Sequence, residues 1–418
     1  MKKIILMALV AVAANSATAQ DLLKQISKAD NYQAAEELLN GGLSTLSDAA
    51  KAKAYYSVFE KAMKKYNQEA TIVATNAAAA QLKTGKEEPY DTVGMYNALD
   101  KAYEAAAQCY KYDQLPNEKG KISPKFDSKL ANNLWPTRNA LIQAGQWCGD
   151  KRDNAGVVKY FGQYVDSYSD PIFANYSEAK NPDPNMDIIA ANAARFAYFE
   201  KQYDKAVRYA EIAEKNPEYA KEATIVKINA VKDQAKTNAD SVAVADQLQK
   251  MYDADPSNDA VFATLQDFYN GLGQKDKASA LLDSRLSKNP NDAIALEMRG
   301  QSYYFDGKYD EAIADFTKAL QTDTQNAAVN LLAGVSYIGK AQKLSDSMAD
   351  KNGNIKVADN EKVKAVYKEA IPFLEKAREL DPDQLNTKWA YYLYNAYYFC
   401  NGANDPKTKE LEAITQGK

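Results

Sequence analysis

Histidine is absent from all 418 residues. Its absence removes the one side chain that ordinarily changes charge between pH 5 and 8, and with it His-based acid/base catalysis. Ser/His and Cys/His nucleophile pairs and the commonest zinc and iron ligand sets go as well. Cysteine is nearly as scarce: Cys109, Cys148 and Cys400 are the only three. The number is odd, so in an oxidising compartment at least one thiol stays unpaired. Cys109 and Cys148 fit either a disulfide between neighbouring helices or two buried apolar thiols. Thiols so scattered make no metal site. No GxxxxGK[ST], GxGxxG or GxSxG motif occurs, and none of the 56 acidic residues falls in a recognisable catalytic pair. A run such as Glu87-Glu88 reads as a solvated turn. No catalytic residue, cofactor or metal is expected, and the chain reads as a non-enzyme.

Runs of one charge are missing too. Basic and acidic side chains alternate along a chain of formal charge -4, so no polybasic stripe is offered to nucleic acid or to anionic lipid. Glycine (18) and proline (13) are thin over this length, while Ala, Lys, Glu, Leu and Tyr recur, which favours helices over turn-rich sheets. A 46% hydrophobic content supplies ample core. Long apolar runs occur only at the start. "MKKIILMALVAVAANSATAQ" has a basic beginning at Lys2 and Lys3, an apolar stretch from Ile4 to Ala14 and the small-residue site Ala17-Thr18-Ala19, the pattern of a secretory signal. The apolar stretch is shorter than the ~20 residues that span a bilayer. Cleavage after Ala19 is expected, leaving an exported protein, periplasmic or secreted, soluble and not membrane-spanning, with charge -6 once Lys2 and Lys3 are gone. No cysteine follows the apolar stretch to accept a lipid.

What is present in quantity is a repeat. Pro256 and Pro290 lie 34 residues apart, each closing a segment that reads helix, polar turn, helix. Further units follow in the same register, with Pro382 two periods and an insertion later. The segment from Ala293 to Asn326 carries Gly300, Tyr303, Ala312, Phe316 and Ala319. The next carries Gly334 and Tyr337, then Ala370, Leu374, Ala377 and Pro382 after extra residues. Weaker units align through Tyr269, Ala278, Leu282 and Pro290, and through Ala194, Tyr203, Ala206, Ala210 and Ala213, with a weaker one still over 221–256. "LYNAYYFCNG" (393–402) reads as another first helix. Small Gly300 and Ala312 would mark close approach of two helices, Tyr303 and Phe316 would fill the space beside them, and Gly307 would end the first helix in a left-handed cap.

These residues at this spacing resemble the tetratricopeptide repeat (TPR) family, here of an exported protein from a Gram-negative bacterium. The resemblance implies an all-α, TPR-type helical-hairpin solenoid wound as a right-handed superhelix. Departures fall at Gln266, Arg285, Arg299 and Thr324. Upstream of residue 186 the consensus fades, so degenerate hairpins are expected there: two or three helices over 22–66, broken at Gly41-Gly42, a hairpin over 70–112, and another over 127–168 broken at "CGDKRDNA". The organisation expected is a signal at 1–19, N-terminal TPR-like hairpins at 20–125, a solenoid at 126–384 with an insertion at about 341–364, and degenerate TPR or capping helices at 385–418. The loops 113–127 and 169–185 are the expected interruptions.

The TPR resemblance also implies a ligand face. First helices line the concave side, and their second, fifth, ninth and twelfth positions meet an extended peptide or a helix. By register these are Ile294, Glu297, Gln301 and Tyr304, then Ala328, Leu331, Val335 and Ile338, then Lys388, Tyr391, Asn395 and Tyr398. Glu297, Leu331 and Val335 break the Lys/Asn clamp of chaperone-binding relatives, and the register predicts an apolar, Tyr-lined groove. Alternatively the same residues pack against a cap or the insertion. In that insertion Asp350-Lys-Asn-Gly-Asn-Ile resembles a calcium loop, but with Gly353 in the glycine position the first ligand falls on Met348, so a projecting turn is expected instead. Pro372 should kink or shorten the helix that follows.

The leading functional expectation is a scaffold that binds another envelope protein. Glycan binding in an envelope uptake system is the alternative, with the missing lipidation cysteine and large loops against it, and an enzyme acting on cell-wall material stands third.

Overall fold

The computed structural model describes residues 19–416 apart from 84, 86, 118–119 and 177–179. The signal expected at 1–19 lies, except for Ala19, outside the described residues. Among these the chain is entirely helix, turn and loop, with no strand. It divides into two compact units, up to Lys236 and from Thr237.

In the first unit α1 (19–28) and α2 (Tyr32–Gly42) lead into α3 (Asp48–Leu82) and α4 (Thr92–Asp113). After a loop come α5 (Asp127–Leu134), a 3-10 turn at Trp135–Thr137, α6 (Arg138–Asp150) and α7 (Asn154–Tyr168). A second loop holds the turn Pro171–Phe173, and α8 (Met186–Phe199), α9 (Tyr203–Ala213) and α10 (Pro217–Lys232) close the unit. Each helix packs on its neighbours in sequence, with α10 lying on both α8 and α9. Two expectations are corrected here. The break between 66 and 70 does not occur: α3 runs unbroken for 35 residues, because nothing between Ser47 and Lys83 is glycine or proline and alanine favours continuation. The domain boundary falls at 236/237 rather than at 125/126 or 384/385, since α10 packs back on α8 and α9 while the next helix packs forward.

The second unit is α11 (Asn238–Ala254), α12 (Asp259–Gly271), α13 (Lys275–Lys288), α14 (Ala293–Phe305), α15 (Tyr309–Thr322), α16 (Ala327–Met348), α17 (Val357–Leu380), α18 (Trp389–Asn401) and α19 (Pro406–Thr415). Consecutive helices pair throughout, α14 also touches α16, and α16 touches α18. This is the TPR-type hairpin stack. Its period is visible in the caps: Asn258, Asp292 and Asn326, each 34 residues from the next, accept hydrogen bonds from the backbone N–H of Val261, Ala295 and Val329 at 3.1, 3.0 and 3.1 Å.

Within the best hairpin, Gly300 lies against the ring of Phe316. A Cβ there would come within 2.8 Å of the ring's Cε1, so what glycine admits is the aromatic ring of the second helix, and Ala312 and Ala319 are buried beside it. Tyr303 is half-buried. In the next hairpin Gly334 admits Leu374 in the same way, with the Ala370 carbonyl also close, while Tyr337 stacks on Phe373 at 5.7 Å and Ala370 and Ala377 are buried. Pro382 follows the end of α17 and is exposed. The insertion is two helix extensions around a short turn at 349–356. There Asp350 accepts from the backbone of Asn352 (2.8 Å) and Asn354 (2.9 Å), and Gly353 takes φ 80. Helix α17 continues through Pro372.

The departures from consensus find partners, with one exception. Arg299 makes a two-pronged bond to Asp315 (2.7 and 2.9 Å), tying α14 to α15. Arg285 joins Asp292 (2.7 Å) and Asp259, its guanidinium lying 4.3 Å from the Phe262 ring. Gln266, at the glycine position of its hairpin, is 1% exposed with both amide atoms unpartnered among the described residues.

One hairpin that escaped the consensus has the same geometry. Gly145 on α6 lies where a Cβ would overlap the ring of Phe161 on α7, the same 16-residue separation as Gly300 and Phe316. Arg138, which opens α6, holds the following loop. It donates to Asp183 (2.7 Å), to Ser167 Oγ (2.8 Å) and to the Tyr164 carbonyl (3.1 Å), between the rings of Trp135 and Tyr164. Tyr164 Oη donates to the same Asp183 at 2.6 Å. The Arg138–Asp183 pair is under 10% exposed at both ends.

Candidate functional site

The expected inner-face residues gather on α14, α16 and α18, and the structure separates them into walls and floor. On α14, Ile294, Glu297, Gln301 and Tyr304 are all half-buried. On α16, Ala328 is exposed and Leu331 half-buried, but Val335 and Ile338 are covered, at 8% and 5% exposure. Those two positions are therefore corrected from contact residues to floor. Ile338 belongs to the core that α16 shares with α17 and α18, beside Val363, Tyr367 and Trp389. On α18, Tyr391 and Tyr398 are 60% and 43% exposed, Asn395 is half-buried and Lys388 exposed.

The local reasons differ by helix. Asp292 caps α14 and sets its rotation, so Leu296 and Gly300 face the α15 core and the residues one position on face away from it. The rotation of α18 is set by its first residue. Trp389 is 2% exposed and donates from Nε1 to the Asp381 carbonyl at 2.7 Å. The Asp381 carboxylate in turn gathers N–H groups of Leu385 (3.0 Å), Asn386 (2.9 Å) and Thr387 (2.6 Å) and the Thr387 hydroxyl (2.8 Å). Burial acts to raise that carboxyl, but these hydrogen bonds outweigh it and hold it below the ordinary carboxylate range. With Trp389, Leu393 and Ala396 turned inward, the tyrosines of α18 are left outside.

Aromatic side chains dominate what remains accessible. Tyr304 meets Phe305 edge-on at 5.5 Å and Tyr309 at 5.8 Å, and Phe305 is 81% exposed. On α18, Tyr391 meets Tyr392 at 5.4 Å, Tyr394 meets Tyr398 at 5.8 Å and Phe399 stacks on Tyr367 at 4.5 Å. Burial raises the Tyr304 hydroxyl pKa, and the hydroxyls of Tyr392 and Tyr309 add to the effect, so α14 and α18 approach each other at this end of α16. Phe305, Tyr392 and Phe399 were not singled out in the sequence, although the run "YYLYNAYYF" (391–399) carries the signal. Gly339, also missed, lets α16 receive the Tyr309 ring.

Glu297 is the one acidic side chain among these expected contact residues. Burial raises its carboxyl above the ordinary range, a hydrogen bond from Gln301 at 3.2 Å lowers it somewhat, and the charge felt most is Asp323, another acid. Among the described residues no cation pairs with it. Chemically the face offers rings, one amide and one desolvated carboxylate, and none of these makes a nucleophile–base pair. The thiols add none: Cys109 and Cys148 are buried and free, and burial pushes the Cys148 thiol up to about 11, which keeps it protonated and unreactive.

No family model matches the chain, and no curated protein matches it. Among solved structures it is similar to a TPR repeats protein from Bacteroides fragilis (17% identity, 62% of this chain and 97% of that one, TM-score 0.33). It is also similar to YrrB, described as a TPR protein with an unusual peptide-binding site (21% identity, 48% and 88%, TM-score 0.29), and to a monomeric mutant of IFIT1 with Gppp-AAAA (14% identity, 96% and 78%, TM-score 0.38). At these scores no ligand carries across to this chain.

Proposed function

We propose that the chain is an exported, non-enzymatic scaffold of the cell envelope that holds a peptide or helix of a partner protein on the inner face of α14, α16 and α18. The observation that carries this reading is the exposure of large rings along that face: Phe305, Tyr391, Tyr398 and Phe399 are between 43% and 81% accessible. Rings on rigid helices give contact area at low entropic cost, and a stack of hairpins presents them in a row. Export rests on the pattern of residues 1–19. The test is photo-crosslinking in envelope preparations from a probe at Tyr391, with Tyr391→Ala/Tyr398→Ala as comparison. One discrete adduct, lost in the double variant, is expected. No adduct from Tyr391, and a mature N-terminus still carrying Met1, would overturn the scaffold and export readings respectively.

Glycan binding stands second because of a separate cleft of about 370 Å³ in the first unit, bordered by Tyr110, Asp127, Asn132, Asn175 and Tyr176. Its rings and amides suit a sugar. Titration calorimetry against envelope glycans decides it, heat absent in Tyr110→Ala favouring the glycan.

A further inference from the structure

Resting on the peptide-binding reading, we infer that the inner face selects a basic side chain, Lys or Arg, flanked by apolar residues of the bound segment, with Glu297 as the anchoring acid. The argument starts from what a half-buried carboxylate requires. Taking it out of water costs free energy unless a cation or several hydrogen bonds replace the lost solvent. Other partly buried acids in this unit have such compensation: Asp315 has Arg299, Asp292 has Arg285, and Asp381 has four donors. Glu297 has one neutral amide, and its strongest charged influence is repulsive.

The surroundings define the missing partner. Along α14 the carboxylate stands one turn before Gln301 and two before Tyr304, so a cation paired with it lies on the same face as the tyrosine rings, and ammonium and guanidinium groups are attracted to ring faces within about 6 Å. On the neighbouring α16 the register positions are Ala328, Leu331, Val335 and Ile338, all apolar, and α14 touches that helix. An acidic ligand would meet Glu297 and Asp323 with no cation to offset them. A purely apolar one would leave Glu297 buried deeper and unpaired, which penalises it. A long basic side chain with apolar neighbours lays its methylenes on Leu331 and its charge on Glu297.

The test is selection of a bead-displayed library of random heptapeptides on the immobilised full-length protein, in parallel with Glu297→Gln and with Tyr391→Ala/Tyr398→Ala. Enrichment of Lys or Arg next to aliphatic or aromatic residues is expected on the unaltered protein. On Glu297→Gln the basic preference should vanish while the apolar preference remains, and a selected Lys peptide should bind the variant at least tenfold more weakly by fluorescence polarisation. A basic preference that persists in Glu297→Gln, or apolar enrichment with no basic residue, overturns the assignment of Glu297 and leaves the groove standing. Absence of any enrichment that the double tyrosine variant abolishes overturns the groove reading itself. Far-UV circular dichroism melting of each variant separates lost binding from lost fold.

Discussion

The hairpins α6–α7 and α14–α15 are built to one plan from dissimilar sequences. In both, a glycine on the first helix admits a phenylalanine sixteen residues later, and in both the first helix is closed by the same turn. The residue two past its end takes a left-handed conformation, Arg152 at φ 60 and Gly307 at φ 69. The two following hydrogen bonds are the same: Asp153 N to Cys148 O (2.9 Å) and Arg152 N to Gly149 O (2.9 Å) in one, Lys308 N to Tyr303 O (2.8 Å) and Gly307 N to Tyr304 O (3.0 Å) in the other. The same closure recurs at Lys201 and at Gly273. Yet the later hairpin has alanine at Ala312 and Ala319 where the earlier has Val157 and Tyr164. Ring-into-gap packing and the turn define the hairpin, and the remaining consensus positions adjust to whatever volume is left.

The sharpest way to break the comparison is at the first residue of each. Ala293 opens α14 and holds nothing, whereas Arg138 opens α6 and holds Asp183. Arg138→Ala strands a buried carboxylate and should destabilise the first unit by about 3–5 kcal/mol, seen in hydrogen exchange as lost protection across α6 to α8 with the second unit unchanged. Next comes the shared glycine. Gly145→Val and Gly300→Val should each cost about 1–3 kcal/mol or more through overpacking, and Phe161→Leu or Phe316→Leu should recover part of it in a double-mutant cycle by urea denaturation. Equal cycles would confirm one plan, and coupling at Gly300 alone would mean that α6–α7 merely looks similar. The α12–α13 hairpin sharpens the point from the other side: its glycine position is Gln266, with an unpartnered buried amide, so Gln266→Leu should raise stability by about 1–3 kcal/mol in the same titration. Smallest is the turn. Gly307→Ala should cost about 1 kcal/mol, while Arg152→Gly and Lys201→Gly should gain less than about 1 kcal/mol, the strain relieved being partly offset by the freedom glycine loses on folding.

How much could be read beforehand follows from these cases. The segment 259–326 was legible because its caps, its turn glycines and Gly300/Phe316 stand at regular intervals. Hairpin α6–α7 was found as a hairpin but not as a repeat, since Cys148, Val157 and Tyr164 mask the spacing of Leu141, Gly145 and Phe161. The length of α3 was misjudged because a break was expected at an average hairpin length where no breaking residue exists. The Arg138–Asp183 pair joins a helix start to a loop 45 residues on, and no local pattern announces it. At the site, register located Glu297, Tyr304, Tyr391 and Tyr398 on three helices. It could not tell that Val335 and Ile338 are covered, because that depends on how closely α18 lies against α16.

Because helices within each unit touch chiefly those next in sequence, little of the chain must find a distant segment before structure forms. Such an arrangement folds quickly for its size and has no single keystone. Pulled by its ends, it should surrender hairpin by hairpin in a sawtooth of modest forces, regaining each length on relaxation, like a spring that lengthens by coils where a globule would snap once.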